Sequence, residues 1–149
     1  MENSFSPKEL LYIRTAQSTD IATEFKYIHC SIKLPINMKQ AITFYLEQFQ
    51  LSVRLQSKLA KRLLIINKLV PLYVSKHCVL VPLFPQRAPI QYFINAMNIV
   101  CLQSQVDKTL IIFKNNKQVL VDSPYTMIYK KWQESLLLSH LVKFNHSIY

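Results

Sequence analysis

Thr109-Leu-Ile-Ile-Phe113, Lys114-Asn115-Asn116-Lys117 and Gln118-Val-Leu-Val121 follow one another in the most legible stretch of the chain. Two apolar runs rich in β-branched residues flank a polar break of four residues. The Asn pair in that break stands where Asn-Gly is usual and tolerates the left-handed backbone of a tight turn. The reading is a β-hairpin. Directly after it, Ser123-Pro124 supplies an N-cap and a first-turn proline, and Tyr125 to Leu141 carries Ile128, Trp132, Leu136 and Leu138 at helical spacing. A closing helix is predicted there.

Upstream, Tyr92 to Leu102 fits either a strand or a helix. Leu69 to Tyr73 and Val79 to Phe84 are short apolar runs interrupted by Pro71, Pro82, Pro85 and Pro89, which reads as edge or irregular segments. Leu10 to Thr15 and Lys26 to Leu34 alternate as strands, the second ended by Pro35. Between them and the proline-rich region, Ala41 to Ile66 reads as one amphipathic helix opened by Asn37, with Leu51, Leu55, Leu59 and Ile66 on its apolar side. The fold class is therefore α+β: N-terminal strands, a central basic helix, a hairpin and a C-terminal helix. With 149 residues, half of them hydrophobic, and no internal repeat, one domain over residues 1–149 is expected.

Charge is unevenly spread. The chain has 18 Lys and Arg against 8 Asp and Glu, a formal net charge of +10. Residues 1–47 balance, whereas Gln48 to Val106 contains no acid but holds Arg54, Lys58, Lys61, Arg62, Lys68, Lys76 and Arg87. Arg54, Lys58, Lys61 and Arg62 are spaced i, i+4, i+7 and i+8, one stripe on a helix with nothing to relieve the like-charge cost. A merely solvated face is the plain alternative. A solvated face normally mixes signs, however, and solubility alone does not account for an acid-free block of this length. These seven cations, with Lys39 just after the N-cap, are the expected DNA-binding residues.

The sequence contains no glycine, which excludes the Gly-rich phosphate cradles and the Gly-x-Ser-x-Gly nucleophile elbow. Backbone positions needing positive φ are expected to fall on Asn37, Asn67, Asn95, Asn98, Asn115 and Asn116, with some strain. Cys30, Cys78 and Cys101 are widely spaced and odd in number, which points to reduced, mostly buried thiols. His29-Cys30 and His77-Cys78 pair adjacent residues, which a strand sends to opposite faces, so no metal and no Cys-His nucleophile is expected. The carboxylates form no close acidic pair for acid-base work. No enzymatic activity and no cofactor are expected. The N-terminus lacks a signal-peptide pattern and no stretch is apolar enough to span a bilayer, so a cytoplasmic protein with no membrane partner is expected, nucleoid-associated through its DNA-binding residues.

Ile36-Asn37-Met38-Lys39, a helix-like stretch ending at Phe49, and Ser57-Lys58 with Ala60 resemble the bacterial competence transcription factor family, ComK. Pro71, Leu83-Phe84-Pro85 with Arg87, Ile94-Asn95 and the Thr109 to Val121 hairpin with its helix continue the resemblance in the family's order, so that it covers Pro35 to about Leu138. It implies an activator of DNA-uptake genes that binds AT-rich promoter boxes from the minor groove, as an oligomer. It also implies helix, loop and strand in the basic block, with the stripe cut near Lys58. The sequence departs from the family pattern at both shorter ends, at Phe93 where Trp is usual, and where Gln50 or Leu51, and Asn116, replace glycines. A protein-interaction module whose basic face docks an acidic partner is the alternative function.

Overall fold

Near-continuous apolar runs such as Leu10–Ile13 and Cys78–Val81 are buried on both sides, and such runs build a sheet with two buried faces. The computed structural model describes residues 5–148 and has α+β architecture, with three α-helices and nine strands among the described residues. The first strands are β1 (Leu10–Thr15), β2 (Thr23–Tyr27) and β3 (Ser31–Leu34), followed by helices α1 (Met38–Glu47) and α2 (Val53–Leu64). Next come β4 (Leu72–Ser75), β5 (Cys78–Pro82), β6 (Tyr92–Asn95), β7 (Ile99–Gln105), β8 (Lys108–Phe113) and β9 (Gln118–Val121), then helix α3 (Tyr125–Ile148). Six strands form one antiparallel sheet in the order β3-β2-β1-β6-β5-β4, and β7-β8-β9 form a second.

The large sheet is packed on both sides. Ile13, Phe25, Tyr27 and Leu80 face α1, whose Ala41, Ile42, Tyr45 and Leu46 complete that core. The opposite face carries Tyr12, Val81 and Ile94, which meet Ile111, Phe113, Val119 and Val121 of the small sheet and Ile128 of α3. A register shift between Leu10 and Tyr12 lets β1 serve both cores: Leu10 and Ile13 go to one, and Leu11 and Tyr12 to the other. A third cluster, Ala60, Val79, Leu138 and Val142, joins α2 to α3 beside β5.

Several expectations hold in detail. β1 has the predicted bounds, Asn37 caps α1, and the hairpin turns through Asn115 and Asn116, each at φ 61°. Others are corrected. Lys26 to Leu34 is not one strand, because Tyr27 N–H donates to Cys30 O and turns the chain from β2 into β3. The Val79 to Phe84 run is an interior strand as far as Pro82, the terminal residue and only proline of β5; of the two runs, only the one that forms β4 lies at an edge. Tyr92 to Leu102 resolves into β6, a 3-10 turn over Ala96–Asn98, and β7. The closing helix runs on to Ile148, and Leu136 lies on its exposed side while Ser135 and Leu138 are buried. Of the three cysteines only Cys78 is buried; Cys30 is half-buried and Cys101 exposed. Burial pushes the Cys78 thiol up to about 12, which keeps it protonated.

The central correction concerns the long helix. Ala41 to Ile66 is two helices, separated by residues 48–52, where Gln50 takes φ 59° and Ser52 caps α2 through its Oγ, which accepts from Leu55 N–H at 3.3 Å. Positive φ falls on Gln50, Ile65, Leu69, Val106, Asp107, Asn115 and Asn116 among the described residues, so four of the six asparagines expected there are elsewhere. Asn37 spends its side chain on a capping box with Gln40. Asn95 and Asn98 are buried hydrogen-bond anchors, and Asn67 lies in an exposed loop. Val106 and Asp107 form a two-residue connection between β7 and β8, whose right-handed strand twist demands positive φ whatever the residue.

Ile65 is the clearest strained position, at φ 55° and ψ 52° and 89% exposed. A β-branched residue there costs about 1–2 kcal/mol and gains almost no burial in return. Ile65→Asn is expected to raise stability by about 1 kcal/mol. Urea midpoints of the two proteins at constant m check this, and an unchanged or lowered midpoint contradicts it.

Candidate nucleic-acid interface

Helix α2 is built to show charge on one side. Its opposite side is fixed by fully buried Ala60, by Leu59, Leu63 and Leu64 against the α2-α3 cluster, and by Gln56, which donates to Tyr73 O at 2.6 Å. Arg54, Lys58, Lys61 and Arg62 are all exposed and span about a quarter of the helix circumference at 3.6 residues per turn. The expected stripe is therefore present, but it begins after the non-helical segment between α1 and α2, and Lys58 sits within the helix, not at a cut. Leu55 is not on the apolar side. It is 61% exposed beside Arg62 on the stripe's flank, while Leu51, Leu59 and Ile66 are half-buried.

The stripe borders a cleft of about 1080 Å³ between the start of α1, α2, the 67–70 loop and the chain around Pro85. Arg54 and Lys61 face into it from α2, Lys39 from the first turn of α1, and Lys68 from the loop; no acidic residue lines it. Lys58 and Arg62 point to the adjoining outer side of α2. Arg87 is exposed in a turn that forms the cleft's far rim through Pro85 and Gln86. That turn is closed by Ala88 N–H on Pro85 O at 2.9 Å and stapled by the Gln91 side chain, which donates to Gln86 O and Ala88 O. Seven of the eight expected residues thus lie in or around one cleft.

Lys76 is the exception. It occupies the β4-β5 turn, at the other end of a hairpin whose far ends, Leu72 and Pro82, line the cleft, so roughly 13 Å of strand lies between them. Burial together with the charges of Lys76, Lys8 and Lys114 lowers the pKa of the adjacent His77. Contrary to the expectation from sequence, His77 is not on a strand with Cys78 but in the exposed β4-β5 turn, while Cys78 opens β5 and is fully buried. Among the described residues no three of His, Cys, Asp and Glu gather in a way that holds a metal, and no helix is long and apolar enough to cross a membrane.

No family model, curated protein or solved structure matches this chain.

Lys131 is absent from the residues expected at the site, yet it positions the site. Its ammonium is buried on α3, where Nζ donates to Lys68 O at 2.8 Å and to Glu134 Oε1 at 2.7 Å. The first bond ties the 67–70 loop, including Leu69 at φ 47°, to the body of the protein. The i, i+3 spacing to Glu134 is the one signal in the sequence that marks Lys131 as paired. A second internal ion pair, Arg14 with Glu24 at 2.6 Å, similarly removes a basic residue of the N-terminal third from the free charge. Lys131→Met leaves a backbone carbonyl and a largely buried carboxylate without their charged donor. A loss of about 2–3 kcal/mol in urea unfolding is expected, and a loss below about 0.5 kcal/mol removes the anchoring role.

Proposed function

We propose that the protein is a non-enzymatic DNA-binding transcription regulator that engages AT-rich promoter DNA through the α2 stripe and the cleft rim. The observation that carries this reading is the exposed, acid-free arc of Arg54, Lys58, Lys61 and Arg62, flanked by Lys39, Lys68 and Arg87. Seven cations around one surface and no carboxylate in the cleft beside them match a polyanion better than a mixed protein surface. The resemblance to competence factors narrows the regulated genes to those of DNA uptake, with cytoplasmic, nucleoid-associated protein acting as oligomers on the minor groove. A second reading, a module docking an acidic protein, draws on exposed Leu55 beside the stripe as an apolar anchor.

Arg87 is assigned to AT selectivity. Its turn is held by proline and by the Gln91 staple, so little order is lost when the guanidinium enters a narrow, strongly negative groove. Arginine suits that groove because it is less strongly hydrated than an ammonium.

Six phosphate contacts predict a slope of log K against log salt of about −5 on B-form DNA. Fluorescence anisotropy over a salt series measures it, and a slope shallower than about −2 on any duplex favours the protein-docking reading. Combined Lys58→Ala, Lys61→Ala and Arg62→Ala is expected to weaken all duplexes alike and to flatten the slope by about 3, because phosphate contacts position without specifying. Arg87→Lys is expected to keep affinity for GC-rich duplexes while shrinking the AT-to-GC preference; an unaltered ratio withdraws Arg87 from that role.

A further inference from the structure

The cleft offers more than charge, and that excess is unexplained by contacts to a duplex backbone. Its walls include Ile42, Val53, Leu72 and the half-buried rings of Phe84 and Phe93, with the side-chain amides of Asn67 and Gln86 at the mouth. Pockets for compact organic ligands run to about 300–1,000 Å³, so about 1080 Å³ exceeds what a phosphate group needs. A duplex keeps its bases stacked and presents only their edges, so the apolar wall gains nothing from it. An unpaired base has exposed aromatic faces. Base stacking on aromatic side chains inside a cationic groove is how single strands are held with little regard to sequence.

We propose that the cleft receives an unpaired nucleotide of a single-stranded nucleic acid, its base against Phe84 and Phe93 and its flanking phosphates on Arg54, Lys61 and Lys68. The inference rests on the nucleic-acid reading above and gives it a substrate class. The charge pattern supports a strand over an isolated nucleotide: Lys58 and Arg62 carry the cationic surface out of the cleft and over α2, where the next phosphates of a chain would lie. The absence of any carboxylate in the lining removes the repulsion that would otherwise oppose a phosphodiester inside the cleft. Lys39, at the first turn of α1, closes the same ring of charge from the opposite wall.

The test compares three labelled probes on the full chain at one salt concentration: a 15-nucleotide oligo(dT), an abasic strand of equal length, and a 15-base-pair AT-rich duplex. Oligo(dT) is expected to bind about 5- to 150-fold more tightly than the abasic strand, the range for one stacked base. Phe84→Leu keeps apolar volume but removes the aromatic face, and Ser57→Trp fills the cleft from α2 without touching its charge. Both are expected to abolish most of the oligo(dT) advantage and to leave duplex affinity within twofold, in proteins whose circular dichroism melts as the wild type does. Equal binding of oligo(dT) and the abasic strand overturns the inference, as does a loss in both variants that is the same for strand and duplex. If the duplex binds with a steep salt slope while oligo(dT) shows no such advantage, this inference alone falls. If neither strand nor duplex binds, the nucleic-acid reading falls with it.

Discussion

The carboxamide of Asn95 is the interaction on which the arrangement of the two sheets depends. It is fully buried at the end of β6, where the chain leaves the large sheet for the small one. Its Oδ1 accepts from Val79 N–H at 3.1 Å and Met97 N–H at 3.2 Å, while its Nδ2 reaches Leu10 O at 2.9 Å, His77 O at 3.1 Å and Pro7 O at 3.3 Å. One side chain thereby fixes the N-terminal segment, the β4-β5 turn and the 3-10 turn that redirects the backbone. Asn98 repeats the device with Lys8 O and Leu10 O. In a low-dielectric interior such a network holds together only when every group is satisfied, which makes the junction specific as well as stable.

The second constraint is the lack of glycine. Turns that need left-handed backbone are made by whatever side chain stands there, and Ile65 and Leu69 bracket the loop that carries Lys68. That loop does not rest on local preference. It is held by a charged hydrogen bond from Lys131 across to the Lys68 carbonyl, so α3 supports the cationic cleft without lining it. The orientation of the site thus follows from long-range packing: Ala60 against Leu138 and Val142 places α2, and Lys131 places the loop beside it.

These dependencies explain which features were legible in the sequence. The β8-β9 hairpin, the Asn37 cap, β1 and the start of α3 are each specified by neighbouring residues, and short windows were enough to find them. The basic stripe was legible for the same reason, because i, i+4, i+7 and i+8 spacing is local. The break between α1 and α2 was not legible from periodicity, since Leu46 to Leu51 keeps an apolar spacing that suits continued helix; the resemblance alone ended a helix at Phe49, and the left-handed Gln50 with the extended Ser52 makes that break. The interior position of β5 depends on its neighbours β4 and β6, not on its own composition. The cleft, assembled from α1, α2, the 67–70 loop and the turn at Pro85, has no local signature at all.

The strand β7 bears on how the protein behaves in concentrated solution. It stands at the margin of the three-stranded sheet, seven residues long, with neither a charge nor a proline in Ile99–Gln105, and exposed Val100 lies on it with exposed Val106 just beyond. Such an edge is a template for pairing with another chain, and of the usual safeguards it has no lysine, no proline and no very short length, only the register shift between Ile99 and Cys101 at its start. The formal +10 charge opposes such pairing, acting over the Debye length of about 10 Å at 0.1 M salt and fading as salt rises. Colloidal stability therefore rests on repulsion between whole molecules and not on a protected edge. Added salt or a stoichiometric polyanion lowers that repulsion and brings the edges of neighbouring copies within reach of each other.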